Sequence, residues 1–253
     1  MKATKARTYW DEASWPWQAA AILVAVDFAG LAVARFAVGW GMTGWPSLAD
    51  VGQGPLMAIA GNWSIITRAL LVLVFASFYY GRGVPPRAFG LTMSGFRKRL
   101  AEFWRCLGVV LPLSAAAILL LILLFRAMGR REWIAPPFPV HAPGDALKWI
   151  LIFVVALPPL EELLYRGVVH PALRGRMSVG AALGVGSAVF GILHGFYGVP
   201  VGFLPCYAAA GLILAWVYER TGSLFFPWLL HAGANLAAVW LSSYPGLYEA
   251  LRT

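Results

Sequence analysis

The chain has 253 residues, of which 60% are apolar and only 12% are charged, and its formal net charge is +9. Water-soluble domains carry about 25% charged residues, so this composition excludes an ordinary soluble domain and a disordered chain. Because the basic residues are interspersed with long apolar runs, the positive charge indicates membrane topology and argues against a nucleic-acid partner.

Seven apolar segments follow one another along the chain, each close to the length of about 20 residues that a membrane helix needs. They are Trp17–Trp40, Asn62–Tyr80, Phe103–Phe125, Ala146–Leu173, Ser178–His194, Pro200–Tyr218 and Leu224–Leu241. Tryptophan and tyrosine residues gather near the segment ends, as in the aromatic belts of membrane proteins. The pattern predicts an all-α, polytopic transmembrane bundle of about seven spans, embedded in the lipid bilayer.

The basic residues other than Arg35 and Arg68 predict the orientation. Thirteen of them fall on the side of the N-terminus and five on the opposite side. The positive-inside rule then places the N-terminus in the cytoplasm. Sixteen Arg against four Lys indicate a GC-rich source, and we expect an integral protein of a bacterial inner membrane. Residues 1–145 are predicted to hold the N-terminal spans and an amphipathic cytoplasmic segment, and residues 146–253 a core formed by the last four spans.

Three features carry expectations about packing. The proline-rich segment 130–144 either lies over one end of the bundle or is a linker. The two cysteines, Cys106 and Cys206, lie in apolar stretches and predict buried thiols, not a disulfide. Close helix packing is expected at the glycines of the fifth span. These are Gly180, Gly184, Gly186, Gly191 and Gly195.

Ionisable side chains inside a membrane are costly and usually mark function. Six polar side chains lie at helical spacing on three spans: Glu161, Glu162 and Arg166 on the fourth, His194 on the fifth, and His231 and Asn235 on the seventh. Residues four apart share a helix face, so Glu162 can pair with Arg166, and Glu161 is left without that partner. For the same reason His231 and Asn235 can reach one point in the bundle.

One carboxylate, two imidazoles and an amide form a hydrolytic set. A glutamate withdrawn from water is a stronger base, so Glu161 can take a proton from water while His194 shares or relays it. The side chains of His231 and Asn235 can donate hydrogen bonds to the developing oxyanion. The predicted reaction is hydrolysis of a peptide bond in a membrane-associated protein or peptide substrate, with no cofactor.

At these residues the chain resembles the CPBP intramembrane proteases, the CAAX prenyl-protein and bacteriocin-processing (Abi) family. The family pattern EExxxR, FxxxH and HxxxN is matched in order by Glu161 to Arg166, Phe190 to His194 and His231 to Asn235. The resemblance covers about residues 146–241. It implies that Glu161 and His194 activate water and that His231 and Asn235 form the oxyanion site. It also implies that Glu162 and Arg166 support them.

Other protease chemistries remain open on the sequence. Ser187 lies seven residues before His194, on the same helix face, so its hydroxyl and the imidazole could form a serine–histidine dyad. A zinc ion held by Glu161, His194 and His231 would also be a catalytic set. No HExxH motif occurs, which argues against the corresponding zinc proteases.

Non-enzymatic interpretations use the same side chains. Glu161 and its neighbours can form a structural ion-pair network, bind a peptide in an immunity or scaffold protein, or carry protons in a transporter. Three charged residues of the first two spans, Asp27, Arg35 and Arg68, are expected to pair with one another or to snorkel. His170 is expected to be solvated at the cytoplasmic surface.

Overall fold

The computed structural model describes residues 17–44, 63, 65–73, 77, 81, 86–138, 140–195, 199 and 201–253. Within these residues all regular secondary structure is helical. The helices are α1 (Trp17–Gly44), α2 (65–73), α3 (Phe96–Ala127), α4 (143–174), α5 (Val179–His194), α6 (Leu204–Thr221), α7 (Phe225–Ser242) and α8 (Pro245–Arg252). Each predicted apolar segment overlaps one of the helices α1 to α7, which confirms the all-α class.

Helix α3 is the described helix that is long and apolar enough to cross a membrane. It begins at Phe96, seven residues before the predicted span, and its outer face consists of exposed leucines such as Leu113 and Leu120. Exposed apolar side chains along a whole helix are favourable against lipid and unfavourable against water. The apolar helices Ala20–Val33 and Val179–Gly195 are shorter. The number of seven spans therefore remains a prediction.

Helix α4 carries both glutamates and contains two π-helical turns. Its successive parts are Pro143–Ile150, the π turn Leu151–Ala156, Leu157–Leu164, the π turn Tyr165–Val169 and His170–Arg174. At its start the backbone N–H of His141 donates to the Asp145 carboxylate, which lowers the pKa of that carboxyl below its ordinary value. Such π turns are rare and occur frequently at functional sites.

The first π turn follows from the prolines that come after it. Because Pro158 and Pro159 have no N–H, the next turn lacks two backbone donors. The N–H of Leu157 bonds to the carbonyl of Ile152, five residues earlier. In a regular α-helix this N–H would bond to Phe153. The π turn therefore leaves the Phe153 carbonyl without its usual backbone donor, and a side chain can bind it.

Helices α5 and α6 pack closely where glycine leaves space. A Cβ atom added at Gly191 would lie 2.8 Å from the backbone nitrogen of Ala208 and 2.9 Å from the carbonyl oxygen of Leu204. By contrast, a Cβ added at Gly180 or Gly184 would meet nothing within 4 Å. Close packing is thus confirmed at Gly191, and the expectation is wrong for Gly180 and Gly184.

This difference predicts opposite effects of alanine on stability. Gly191→Ala should lower the free energy of unfolding by about 1–3 kcal/mol, since the new methyl group meets backbone atoms that cannot move alone. Gly184→Ala, on the same helix, should leave stability unchanged or raise it by up to about 1 kcal/mol. Denaturant unfolding in detergent measures both. Equal effects of the two variants would contradict the packing described.

The proline-rich segment lies against the bundle, so the linker alternative is wrong. Two of its side chains, Ile134 and Phe138, are buried. The ring of Phe138 lies 5.7 Å from that of Trp149 and 5.3 Å from that of Phe153. The Arg252 side chain of α8 donates to the Ile134 carbonyl at 2.8 Å. The segment therefore covers one end of the bundle.

Residues 86–95, which lie directly before α3 in the segment predicted to be amphipathic, pack on the connection between α6 and α7. The ring of Phe89 is buried, and the Ser223 hydroxyl donates to the Thr92 carbonyl at 2.8 Å. Its chain turns at Gly90, where φ is +77° and an added Cβ would collide with the Tyr218 ring. The buried ring of Phe89 and the hydrogen bond from Ser223 to Thr92 hold the start of α3 against the bundle.

Candidate active site

A cavity of about 280 Å³ lies inside the bundle. All four predicted catalytic side chains, Glu161, His194, His231 and Asn235, line it. The rest of its wall is largely apolar and includes Val110, Phe138, Phe153, Phe190 and Tyr207. Helices α4, α5 and α7 thus bring to one place the polar residues that the sequence singled out. The buried Glu162 and Arg166 lie behind this wall.

Glu162 binds one side chain from its own helix and one from α7. Its Oε1 accepts hydrogen bonds from Nη1 of Arg166 at 2.9 Å and from Nδ1 of His231 at 2.8 Å. The predicted pair of Glu162 and Arg166 is therefore confirmed. The Arg166 guanidinium also donates to the Gly211 carbonyl at 2.9 Å and lies 4.5 Å above the Phe190 ring. These contacts hold Glu162 in a single orientation.

The imidazole of His231 lies between the two glutamates. Because a carboxylate oxygen only accepts, the Nδ1 of His231 carries the hydrogen that binds Glu162. The other ring nitrogen, Nε2, is 3.6 Å from Oε2 of Glu161. Glu162 thus sets both the tautomer and the direction of His231 toward Glu161.

Glu161 is paired with a residue that the sequence interpretation did not connect to it. As predicted, it makes no contact with Arg166 across the helix, but Nη1 of Arg68 in α2 donates to its Oε1. The same guanidinium binds Asp27 in α1, with Nε 3.0 Å from Oδ1. The expected pairing of Asp27 with Arg68 is confirmed. Glu161 is buried, as expected, but the expectation that it is unpaired is wrong, because the guanidinium of Arg68 compensates its charge.

His194 is fixed by a backbone bond and by an aromatic ring. Its Nδ1 lies 2.8 Å from the Phe190 carbonyl oxygen, so this nitrogen carries the hydrogen. In the neutral ring Nε2 then carries the lone pair. The ring stacks on Tyr207, with centroids 4.2 Å apart and an angle of 25° between the planes. Tyr207 carried no signal in the sequence, since a tyrosine in an apolar segment is ordinary.

Asn235 binds the carbonyl that the first π turn leaves open. Its Nδ2 donates to the Phe153 oxygen at 2.7 Å. An amide nitrogen carries two hydrogens, so one donor and the side-chain oxygen remain. The hydrogen bond orients the amide at the cavity wall, one helical turn from His231.

Two further predictions are decided by contacts away from the cavity. The hydroxyl of Ser187 donates to the Leu183 carbonyl, and the described cavity wall does not include Ser187, which argues against a serine–histidine dyad. His170 is buried, with Nε2 2.8 Å from Glu219, so the expectation that it is solvated is wrong. Glu219 also binds Arg174 at 2.6 Å. Arg35 lies outside the residues whose side chains the structure describes.

The donor set at the cavity does not fit a zinc ion well. Among the described residues, no group of three or more His, Cys, Asp and Glu side chains is arranged to hold a metal ion. One oxygen of Glu161 binds the cation Arg68, and Nδ1 of His231 binds Glu162. A metal ion would compete with a permanent guanidinium charge for the same carboxylate.

Comparison with known proteins finds one family model similar to the part of the chain that carries this site. Residues 143–237 match the family model described as type II CAAX prenyl endopeptidase, Rce1-like. No curated protein and no solved structure matches the chain. The matched stretch is less than half of the 253 residues, but it contains Glu161, His194, His231 and Asn235. The resemblance to the CPBP proteases is thereby confirmed: residues 143–237 are similar to the Rce1-like type II CAAX prenyl endopeptidases.

Proposed function

We propose that the chain is an intramembrane endopeptidase that hydrolyses a peptide bond near the terminus of a membrane-presented protein. The observation that carries the proposal is the convergence of Glu161, His194, His231 and Asn235 on one cavity within a domain that matches a protease family. These four residues are the proposed catalytic groups. Glu162 and Arg166 are positioning residues, since they reach the cavity only through His231 and Phe190.

The first step is the attack of water on the scissile carbonyl carbon. Glu161 removes one proton from the water, and the lone pair of His194 Nε2 shares or relays that proton. A new carbon–oxygen bond forms as the carbonyl electron pair moves onto oxygen. The ion pair with Arg68 leaves Oε2 of Glu161 for this work, since Oε1 is bound.

The second step is the collapse of the tetrahedral intermediate. Its oxyanion accepts hydrogen bonds from Asn235, through the N–H that does not bind Phe153, and from the Nε2–H of the His231 imidazolium, which carries this second proton before the attack and keeps it throughout. The carbonyl re-forms, the carbon–nitrogen bond breaks, and the proton taken from water goes to the leaving amine. No cofactor takes part in these two reaction steps.

Several termini would suit such a site, including a prenylated CAAX tail and a bacteriocin leader. The apolar cavity wall is compatible with a lipidated or a plainly hydrophobic segment. Two synthetic peptides with the same CAAX tail, one farnesylated and one not, distinguish these classes when each is offered in proteoliposomes. A bacterial inner membrane with a cytoplasmic N-terminus remains our proposal for the location.

Comparative terminal proteomics tests the function without a known substrate. Membranes are prepared from cells that carry the wild-type chain or Glu161→Gln. We expect at least one membrane protein whose terminus is trimmed only with the wild type. If no terminus differs while a peptide still binds both proteins, the chain is a peptide-binding or immunity protein. A chelator titration of the purified enzyme tests the zinc alternative, and loss of activity that added zinc restores would support it.

Asn235→Ala is expected to lower kcat by about 100-fold with little change in KM, because one oxyanion donor is lost. The variant also leaves the Phe153 carbonyl without its side-chain donor, at a stability cost of about 1–3 kcal/mol. Ser223→Ala is the matched control, since it removes an inter-segment hydrogen bond outside the cavity. Equal kcat values for the two variants would assign Asn235 to helix packing alone.

A further inference from the structure

Two fully buried charges from α1 and α2 lie directly behind Glu161. Asp27 and Arg68 have no exposed surface, and both lie outside the matched residues 143–237. The guanidinium faces Asp27 with two nitrogens, Nε 3.0 Å from Oδ1 and Nη2 3.0 Å from Oδ2. Its third nitrogen donates to Glu161. Arg68 is therefore a rigid bridge between two carboxylates on different helices.

A tyrosine of the matched domain completes this bridge. The hydroxyl of Tyr165 donates to Oδ2 of Asp27 at 2.8 Å, and Tyr165 is itself buried. Asp27 thus receives three hydrogen bonds from Arg68 and one from Tyr165. Because every polar atom of this cluster must be satisfied away from water, the cluster has little freedom to rearrange.

None of these three residues lines the cavity, so they can act on the reaction only through Glu161. The last side-chain torsion angle of a glutamate has a broad energy minimum, so a carboxylate without a fixed partner turns easily about it. With Oε1 bound to Arg68, Oε2 is the oxygen that lies 3.6 Å from His231. The bridge therefore selects which oxygen of Glu161 faces the catalytic groups.

We propose that Arg68 is the positioning residue of the general base Glu161. Asp27 holds Arg68 in place, and Tyr165 in turn holds Asp27. Helices α1 and α2 thus complete an active site whose catalytic groups all lie in α4 to α7. This inference rests on the proposed function. It assigns a catalytic contribution to the part of the chain that the family match does not cover. The bond from Tyr165 ties that part to the same helix that carries Glu161.

The test separates positioning from mere stabilisation. A buried ion pair can often be replaced by neutral residues without loss of stability, whereas removal of one partner is destabilising. Three forms of the full chain are compared with the wild type: Arg68→Met, Arg68→Lys, and the neutral pair Asp27→Asn with Arg68→Met. The neutral pair keeps an oxygen acceptor for Tyr165. Thermal unfolding and peptide kinetics are measured on each, with a synthetic peptide of the terminus that proteomics identifies.

We expect Arg68→Met to lower kcat by about 100-fold with KM within about twofold, since a misplaced general base costs rate and not binding. Arg68→Lys should give an intermediate kcat, because lysine keeps the positive charge but lacks the planar guanidinium that binds both carboxylates in fixed directions. The neutral pair should regain the part of the thermal stability that an unpaired Asp27 costs in Arg68→Met, and it should still show the loss in kcat. Glu219→Gln, which breaks a buried ion pair away from the cavity, is the control and should keep kcat.

Two results would overturn the inference. One is wild-type kcat in the neutral pair together with recovered stability, which would make the bridge purely structural. The other is kcat within twofold of wild type in Arg68→Met. In both cases the proposed function still stands if Glu161→Gln is inactive. Full activity of Glu161→Gln would instead overturn the function itself, whatever the Arg68 variants do.

Discussion

Glu161→Gln is expected to lower kcat by about 1000-fold or more, while the protein still folds and inserts. Glutamine has nearly the same shape as glutamate but cannot take a proton from water, and general-base catalysis contributes about 10²–10⁴-fold. The fold should tolerate the change, since Arg68 keeps its bidentate contact with Asp27. The measurement is hydrolysis of the identified terminal peptide in proteoliposomes, with thermal unfolding followed in parallel.

The matched control for this variant is Glu219→Gln. Glu219 is also a largely buried glutamate that binds arginine, at 2.6 Å from Nε of Arg174, but it lies outside the described cavity wall. We expect lower thermal stability and unchanged kcat. If Glu161→Gln keeps more than a tenth of the wild-type kcat, Glu161 is not the base, and its contacts with Arg68 and His231 are structural.

His194→Gln is expected to lower kcat by about 100–1000-fold. The Nδ1–H of His194 is committed to the Phe190 carbonyl, and stacking on Tyr207 fixes the ring plane. The other ring nitrogen, Nε2, carries the lone pair that shares the proton of the attacking water, and glutamine has no basic nitrogen to replace it. KM should change little, because the substituted side chain keeps a similar size and polarity.

His170→Gln distinguishes loss of a catalytic ring from loss of a buried histidine. Its Nε2 contacts Glu219 at 2.8 Å near the end of α4, and the residue does not line the cavity. We expect some loss of thermal stability and wild-type kcat. The role given to His194 would be contradicted if His194→Gln lowered kcat by less than fivefold. It would also be contradicted if His170→Gln lowered kcat by 100-fold or more.

Local spacing made much of the site predictable. Residues four apart on a helix lie on one face, and this alone predicted that Glu162 binds Arg166, a contact found at 2.9 Å. The low number of ionisable residues in the apolar segments also directed attention to Glu161, His194 and His231. Charges inside a membrane are costly enough that few occur without a partner or a function.

Contacts between helices were harder to predict, and Arg68 is the clearest case. It lies 93 residues before Glu161 in the chain, and nothing in the spacing connects α2 with α4. A signal was nevertheless present, because a buried guanidinium needs anionic partners. The sequence predicted that Asp27, Arg35 and Arg68 pair with one another or snorkel, and the structure shows the pair of Asp27 and Arg68. It gave no indication of what the remaining nitrogen of the guanidinium would bind.

The helical class, the positions of the apolar segments and the set of polar residues were all predictable from the amino-acid sequence, because hydrophobic periodicity and i to i+4 spacing are properties of the local chain. Helix packing was needed to show which oxygen of Glu161 is bound, that His231 donates to Glu162, and that Asn235 binds Phe153. These contacts depend on how helices are rotated against one another. The π turn before Pro158 releases the Phe153 carbonyl that Asn235 binds, and a uniform helical period does not contain such a turn.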